Sequence, residues 1–161
     1  MHNKPILDVA CGTRMFYFDK SDPRVLYCDI RSESFTKKRG EQIERLHVTP
    51  DVVCDFTHLP FPSESFKLVV FDPPHLLHAG ETGWQAKTYG RLSSNWQDII
   101  SQGFAECFRV LARAGTLIFK WNECDIPVSK ILALTPEKPV FGNRCGRLSK
   151  SHWLCFFKLN V

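Results

Sequence analysis

The stretch of sequence that decides the fold is Phe66-Lys67-Leu68-Val69-Val70-Phe71-Asp72-Pro73-Pro74-His75. Its apolar run, residues 68–71, is short, unbroken and rich in β-branched and aromatic side chains. That pattern is typical of a strand buried on both faces of a parallel sheet. Asp72 stands where the run ends, and two prolines forbid any continuation of a ladder or a helix. The stretch therefore predicts a carboxylate on a stiff turn at the carboxyl end of a central strand, where open α/β sheets bind ligands.

A second interpretation of the Asp-Pro-Pro turn is open at this point. Prolines often follow strands, so Asp72 could be a solvated acid that only terminates one. The remaining sequence decides between a ligand site and a plain strand end.

Further apolar runs predict a mostly parallel sheet around this strand. Strands are expected over residues 5–10, 25–29, 51–55 and 116–121, with an antiparallel pair formed by residues 140–141 and 152–158 near the carboxyl end. Apolar spacing of 3.6 predicts a helix from about Trp96 to Leu111, capped by Ser93, Ser94 or Asn95 and ended by Gly115. A short helix is expected near residues 129–134. The charged segment 32–46 is expected to be an irregular or short helical crossover.

Length and composition bound the class of protein. The chain has 161 residues, 43% of them hydrophobic, and neither internal repeats nor a linker, so one domain over residues 1–161 is expected. A net charge of +4 permits a polyanionic partner. Seven cysteines without a Cys-x-x-Cys pair favour a reducing cytoplasm. No apolar run approaches the roughly 18 residues of a membrane helix, and no signal peptide is visible.

Polar residues follow one predicted strand after another. They are Asp8, Asp29, Asp55, Asp72 and the pair Asn122-Glu123. Right-handed crossovers bring such strand ends to one edge of a parallel sheet, so these side chains are expected to form a site.

Several of these segments resemble class I S-adenosylmethionine-dependent methyltransferases. Residues 6–13, Ile-Leu-Asp-Val-Ala-Cys-Gly-Thr, resemble the first motif of that family, and Asp29 resembles the acid that holds the ribose hydroxyls. Cys54-Asp55-Phe56 is similar to the adenine contact, and residues 109–117 resemble the family's helix-to-strand signature. The resemblance implies a Rossmann-like α/β fold with a mostly parallel sheet and a carboxyl-terminal antiparallel strand pair.

The same resemblance implies S-adenosylmethionine as the cofactor and a set of residues that bind it. These are Asp8, Ala10, Gly12, Arg14, Asp29, Asp55 and Phe56. The chain departs from the family at Arg14, where a glycine is usual. Arg14 is expected either to contact the cofactor carboxylate or the substrate, or to be a solvated loop arginine.

The Asp-Pro-Pro turn itself resembles the catalytic motif of methyltransferases that act on exocyclic amines of nucleobases, mostly N6 of adenine. The resemblance implies catalytic roles for Asp72, Pro73, Pro74 and His75. The Asp72 carboxylate and the Pro73 carbonyl would accept hydrogen bonds from the amine and aim its lone pair at the methyl group. An aromatic residue normally stacks on the flipped base; here His75 takes that position and stacks less well.

Four more residues are candidates for substrate contact. Asn122 and Glu123 follow the fifth predicted parallel strand, and Trp84 and Lys87 lie in a long polar segment, residues 76–95, expected to be a mobile lid or recognition loop. His75 and His78 could bind a metal with Asp72. No further ligand cluster appears, so no metal is expected.

Three classes of function follow. The first is a methyltransferase for DNA or RNA, similar to small phage-type enzymes, with nucleic acid as partner. The second is a small-molecule or protein methyltransferase, favoured because the chain is too short for a target-recognition domain. The third is a non-catalytic cofactor-binding module of a larger assembly. A homo-oligomer or a partner protein could supply target recognition. A dinucleotide-dependent dehydrogenase is disfavoured because Gly-x-Gly-x-x-Gly is missing.

Overall fold

The computed structural model of the chain describes residues 4–78, 90–144 and 149–159. The strands are β1 Ile6–Asp8, β2 Val25–Asp29, β3 Glu33–Arg39, β4 Gln42–Val48, β5 Val52–Val53, β6 Phe66–Phe71, β7 Leu111–Asn122, β8 Phe141–Arg144 and β9 Ser151–Phe157. The described helices are α1 Trp96–Val110 and α2 Val128–Leu132. Neither helix is long and apolar enough to cross a membrane.

Seven strands form one sheet in the order β5-β2-β1-β6-β7-β9-β8. The pairs from β5 through β7 are parallel, while β9 runs antiparallel to both β7 and β8. The predicted α/β architecture, a mostly parallel sheet with a carboxyl-terminal antiparallel pair, is confirmed. Strand β6 lies between β1 and β7, so the stretch that predicted a central strand is central.

The core lies on the face of the sheet against which both described helices pack. Val69 and Phe71 of β6 are fully buried there with Ile100 and Phe104 of α1, and Ile131 of α2 belongs to the same cluster. The rings of Phe71 and Phe104 meet edge to face at 5.5 Å. Such pairs add to simple burial because the positive ring edge meets the negative ring face. This packing fixes the carboxyl end of β6 and hence the turn that follows it.

The segment expected as a crossover, residues 32–46, is instead most of an antiparallel hairpin. Strands β3 and β4 pair from Glu33↔Val48 to Arg39↔Gln42 and form a two-stranded sheet of their own. Gly40, at φ +60°, supplies the backbone that this two-residue turn requires. Phe35 and Val48 alternate with polar neighbours at period two and are buried. The many charged residues in this segment obscured the period of two, so the prediction of an irregular or short helical crossover was wrong.

Two element boundaries also differ from expectation. The strand expected over residues 51–55 is reduced to Val52–Val53, because Asp55 already belongs to a turn in which its Oδ1 accepts the Thr57 amide at 2.8 Å. The helix ends at Val110 rather than near Gly115, which lies inside β7. Lys158 Nζ donates to the carbonyls of Phe108 and Leu111 at 2.7 and 2.6 Å, so a side chain satisfies groups that a glycine cap usually would.

The amino-terminal cap of α1 is Asn95, without a side-chain hydrogen bond to the helix. Its Oδ1 instead accepts the hydroxyl of Ser93 at 2.6 Å.

Candidate functional site

A cavity opens where β1, β2 and β6 end. Eight of the residues predicted from the sequence line this cavity: Ala10, Gly12, Asp29, Phe56, Asp72, Pro73, Pro74 and His75. Other lining residues include Phe16, Ile30, Arg31 and Arg91. The carboxyl ends of adjacent parallel strands therefore do meet in one concave surface, as the strand-end pattern predicted.

Gly12 and Asp29 form the first wall of the cavity. Gly12 adopts φ +50°, and an added Cβ would meet no atom within 4 Å, so its backbone faces open space. Its amide donates to Asp29 Oδ2 at 2.9 Å. Asp29 Oδ1 accepts the amide and the Nε of Arg31 at 2.9 and 3.1 Å. Each Asp29 oxygen is thereby oriented by protein donors.

Asp8 lies at the end of β1 and is buried. Its Oδ1 accepts the Ala10 amide at 3.2 Å, and its Oδ2 accepts the Tyr17 hydroxyl at 2.9 Å. Burial raises the pKa of Asp8 to about 7, and the nearby carboxylates of Asp72 and Asp29 push in the same direction, against the lowering effect of the two hydrogen bonds. Asp8 holds the loop after β1 and does not itself line the cavity.

Asp72 forms the second wall and is paired with a lysine. Lys120 Nζ lies 3.2 Å from both Oδ1 and Oδ2, and both side chains are mostly buried. Burial raises the pKa of Asp72 to about 6, while the charge and hydrogen bonds of Lys120 act to lower it. The ion pair and the desolvation therefore act on the pKa of Asp72 in opposite directions, and the effect of burial is the larger.

The turn after Asp72 is held by its neighbours. His75 is buried with its ring edge-on to Trp121 at 6.2 Å. Burial lowers the pKa of His75 to about 4, helped by the charge of Lys120 and opposed by a hydrogen bond to the Pro73 backbone. The ring is therefore neutral at pH 7. Pro74 packs on Gly90, where an added Cβ would lie 2.8 Å from its Cγ.

Phe56 lines the cavity from the loop after β5, while its neighbour does not. The ring packs edge to face on Phe71 at 5.2 Å, and Gly103 of α1 approaches closely enough that an added Cβ would lie 2.8 Å from it. Asp55 is exposed and its Oδ1 accepts both the amide and the hydroxyl of Thr57. A cofactor contact by Asp55 stays a prediction.

Arg14 points to a different set of partners. Its Nη1 and Nη2 donate to the carbonyls of Lys20 and Thr49 at 2.7 and 2.6 Å, and the guanidinium lies over the Tyr27 ring, 3.8 Å from its centroid. Asp51 is 3.6 Å away. These contacts tie the loop after β1 to β2 and lie outside the cavity lining. Arg14 is neither solvated nor placed to meet a ligand in the cavity.

Of the remaining substrate candidates, the two that the structure describes, Asn122 and Glu123, do not line the cavity. Asn122 Nδ2 donates to Ser151 Oγ at 3.1 Å, and Glu123 accepts the Val128 amide at 3.3 Å and lies 3.0 Å from His152 Nε2. Trp84 and Lys87 lie outside the described residues, as does most of the segment expected as a lid. Among residues 4–78, 90–144 and 149–159, no three His, Cys, Asp or Glu side chains come together as metal ligands would.

Three residues with clear contacts at the site are among those missed from the sequence. Arg31 pairs with Asp29, Lys120 pairs with Asp72, and Phe16 places its ring in the cavity wall, 4.9 Å from Lys120 Nζ. Lys120 carried a usable signal, because a lysine between Phe119 and Trp121 in an otherwise apolar strand needs a partner. Phe16 and Arg31 carried none, since both lie in loops.

Comparison with known proteins addresses the fold. No protein-family profile matches the sequence, and no curated protein matches it. A methyltransferase dependent on S-adenosylmethionine from Methanosarcina mazei is similar in structure, with a TM-score of 0.61 at 14% identity over 99% of this chain and 94% of that one. A methyltransferase dependent on S-adenosylmethionine from Leishmania major is also similar, with a TM-score of 0.56 at 13% identity over 98% of this chain and 65% of that one.

A third structure contains two ligands. The 1,6-didemethyltoxoflavin-N1-methyltransferase of Burkholderia thailandensis, solved with 1,6-didemethyltoxoflavin and S-adenosylhomocysteine, aligns with a TM-score of 0.56 at 14% identity. The alignment covers 98% of this chain and 72% of that one. Likeness at these identities establishes the architecture: the chain has the Rossmann-like fold of such methyltransferases.

Proposed function

We propose that this chain is an S-adenosylmethionine-dependent methyltransferase that acts on an exocyclic amine of a nucleobase, with N6 of adenine as the acceptor. The observation that carries the proposal is the shared cavity. The Asp72-Pro73-Pro74-His75 turn lines the same concave surface as Gly12 and Asp29, so a cofactor on one wall faces an acceptor on the other.

The first wall fits the cofactor. Gly12 has open space in front of its backbone, as a closely approaching ligand needs. Among the residues that the structure describes, Asp29 Oδ2 accepts only the Gly12 amide and keeps room for a ribose hydroxyl, since each carboxylate oxygen can accept about two hydrogen bonds. Ile30 and Phe56 offer apolar surface for an adenine ring. S-adenosylmethionine would supply an electrophilic methyl group on a sulfonium, a cation suited to a cavity that contains two carboxylates.

The second wall suits an amine acceptor. The lone pair of an exocyclic amine is delocalised into its ring, so the nitrogen is a poor nucleophile until its protons are held. Asp72 can accept one N–H and the Pro73 carbonyl, with its second lone pair, another. Fixed acceptors of this kind favour a pyramidal nitrogen and stabilise the charge that develops on it.

The rings around the turn favour a flat acceptor. His75 is neutral at pH 7 because burial lowers its pKa to about 4, so it presents no charge to a base. Phe16 adds an apolar ring in the cavity wall. Stacking on such surfaces is how nucleobases are held once they leave a helix or a single strand.

The decisive experiment is transfer of tritiated methyl from the cofactor. Single-stranded and duplex DNA, RNA and a cell extract are each offered, and labelled product is digested to nucleosides and identified. Label in N6-methyladenosine or its deoxy form is the expected result. Label only in protein, or none in any acceptor, would contradict the proposal.

A free small heteroaromatic amine is the second candidate acceptor. It is favoured by the structural likeness to an N-methyltransferase solved with the small molecule 1,6-didemethyltoxoflavin. The same assay separates the two: after incubation with extract, filterable label that chromatography separates from the unreacted cofactor indicates a small-molecule acceptor. Incorporation that requires an added protein fraction indicates a partner that supplies target recognition.

A further inference from the structure

Lys120 forms an ion pair with Asp72, one of the residues that line the cavity. Lys120 lies on β7, the strand next to β6. Its Nζ is 3.2 Å from each of the two carboxylate oxygens of Asp72. The ammonium group also lies over the Phe16 ring, 4.9 Å from its centroid. The ion pair thus joins β7 to the turn that follows β6.

We propose that Lys120 is a positioning residue that holds the Asp72 carboxylate charged and aimed, so that the carboxylate can accept a hydrogen bond from the acceptor amine. The inference rests on the proposed function, which it deepens by adding the residue that makes Asp72 competent.

The surroundings of Asp72 show why a partner is needed. Burial by itself disfavours the charged form of the carboxyl group and is the largest influence on its pKa. The charge of Asp72 in turn helps to raise the pKa of the nearby Asp8. Asp29 has its own cation in Arg31. His75, also near, is neutral at pH 7 and supplies no charge. Lys120 is the cation that opposes the effect of burial on Asp72.

Protonation of Asp72 would change its chemistry, since a carboxylate only accepts hydrogen bonds while a carboxylic acid also donates one. An acid at this place would present a proton to the amine instead of drawing one of its protons away. With Lys120 engaging both oxygens from one side, each oxygen still has a lone pair for a second donor. The geometry leaves the acceptor side of the carboxylate available.

The pH dependence of turnover tests this role. Lys120→Met and Lys120→Arg are compared with the parent enzyme, using the nucleic acid that the transfer assay identifies. Lys67→Met is the matched control, because Lys67 is an exposed lysine on β6 and outside the cavity. Loss of the charge in Lys120→Met should move the acid limb of kcat upward by about one pH unit or more, with activity recovering at high pH. Lys120→Arg should keep the limb near its original place.

Two results would overturn the inference. One is an acid limb in Lys120→Met that coincides with that of the parent. The other is a loss of kcat of the same size at every pH, which indicates a structural lysine. Should Lys120→Met fail to fold, Lys120→Gln, which keeps a donor without the charge, replaces it in the same comparison.

A second measurement does not depend on activity. Titration of 13C-carboxyl-labelled aspartate by NMR, with the Asp72 signal assigned by its loss in Asp72→Asn, reports the midpoint of Asp72 directly. The midpoint should rise in Lys120→Met and stay in place in Lys67→Met. Equal midpoints in Lys120→Met and parent would refute the role of Lys120. A raised midpoint in a protein that methylates no nucleobase would refute the proposed acceptor while the Lys120–Asp72 linkage stands.

Discussion

The amide of Gly12 donates a hydrogen bond of 2.9 Å to Oδ2 of Asp29, which joins the loop after β1 to the end of β2. The two residues that resemble the cofactor-binding motifs of methyltransferases are therefore one mechanical unit. The Gly12 amide orients the Asp29 carboxylate, so a ligand that binds against the Gly12 backbone also contacts a preoriented acid. Charge-assisted bonds of this kind are shorter and stronger than neutral ones.

The first prediction concerns this unit. Asp29→Ala should weaken S-adenosylmethionine binding by about tenfold or more, because it removes the ribose acceptor and releases the Gly12 loop, and a hydrogen bond to a charged group contributes about 1.5–3 kcal/mol. Isothermal titration calorimetry measures the change. Asp98→Ala, at an exposed acid in the first turn of α1, is the control and should bind as the parent does. Equal affinity in Asp29→Ala and parent would remove Asp29 from the cofactor site.

The second prediction concerns the chemistry at Asp72. Asp72→Ala should lower kcat by about two orders of magnitude or more, as loss of one preorganised polar group does elsewhere, while cofactor affinity stays close to that of the parent. Asp72→Asn should retain part of the activity because Asn still accepts a hydrogen bond. A fully active Asp72→Ala enzyme would reduce the Asp-Pro-Pro turn to a strand terminator. Thermal unfolding of each variant checks that the unpaired Lys120 has not destabilised the fold.

The third prediction uses two glycines with left-handed backbones. Gly40→Ala, in the hairpin turn at φ +60° with nothing within 4 Å, should cost about 1 kcal/mol, or some 2–4 °C in Tm. Gly90→Ala, at φ +74°, adds a contact of 2.8 Å with Pro74 Cγ, so its Tm should fall further and its KM for the acceptor should rise. Scanning calorimetry and steady-state kinetics give the two values. Identical losses in both variants would mean that Gly90 does not support the Pro74 turn.

The fourth prediction is a dependence of stability on pH. The pKa of Asp8 is raised by burial to about 7 in the folded chain, so between about pH 4 and 7 the folded state binds more protons than the unfolded state. The free energy of unfolding must then fall as pH rises through that window. Asp8→Asn should gain stability over the parent between pH 4 and 8, on the order of 2 kcal/mol.

Tyr17→Phe is the companion variant for this prediction. This variant removes the hydroxyl that stabilises the charged form of Asp8, so the pKa of Asp8 should rise further. The free energy of unfolding should then continue to fall up to a higher pH than in the parent. Urea unfolding at several pH values gives both slopes. Parallel pH profiles for parent and Asp8→Asn would contradict the buried, protonated Asp8.

The elements that periodicity could predict were those with an unambiguous apolar pattern. The run over residues 68–71 and the stripe of α1 both bury their apolar residues against a single core, so pattern and structure agree. The hairpin β3–β4 escaped prediction because nearly every second residue there is charged, and the alternation that marks a strand shows only at Phe35 and Val48. The tertiary contact that buries those two side chains is not encoded in local sequence.

The site divides in the same way. Asp29 and Asp72 could be predicted because each stands where an apolar strand stops, and parallel topology brings such ends together. Asn122 obeys the same rule and yet bonds to Ser151, since β9 pairs antiparallel with β7 and reaches it there. The end of a strand determines the position of a residue. The partner of its side chain, however, is often a residue far away in the sequence, as Ser151 is for Asn122.

The position of β9 between β7 and β8 has a consequence for synthesis. Strand β9 is the last described strand to be synthesised, yet it is the strand that joins the earlier β8 to the rest of the sheet. While the chain emerges from the ribosome, β8 has no sheet to join until β9 has followed it out. Premature termination before Ser151 would therefore remove two strands from the sheet rather than one and leave the long edge of β7 exposed to other nascent chains.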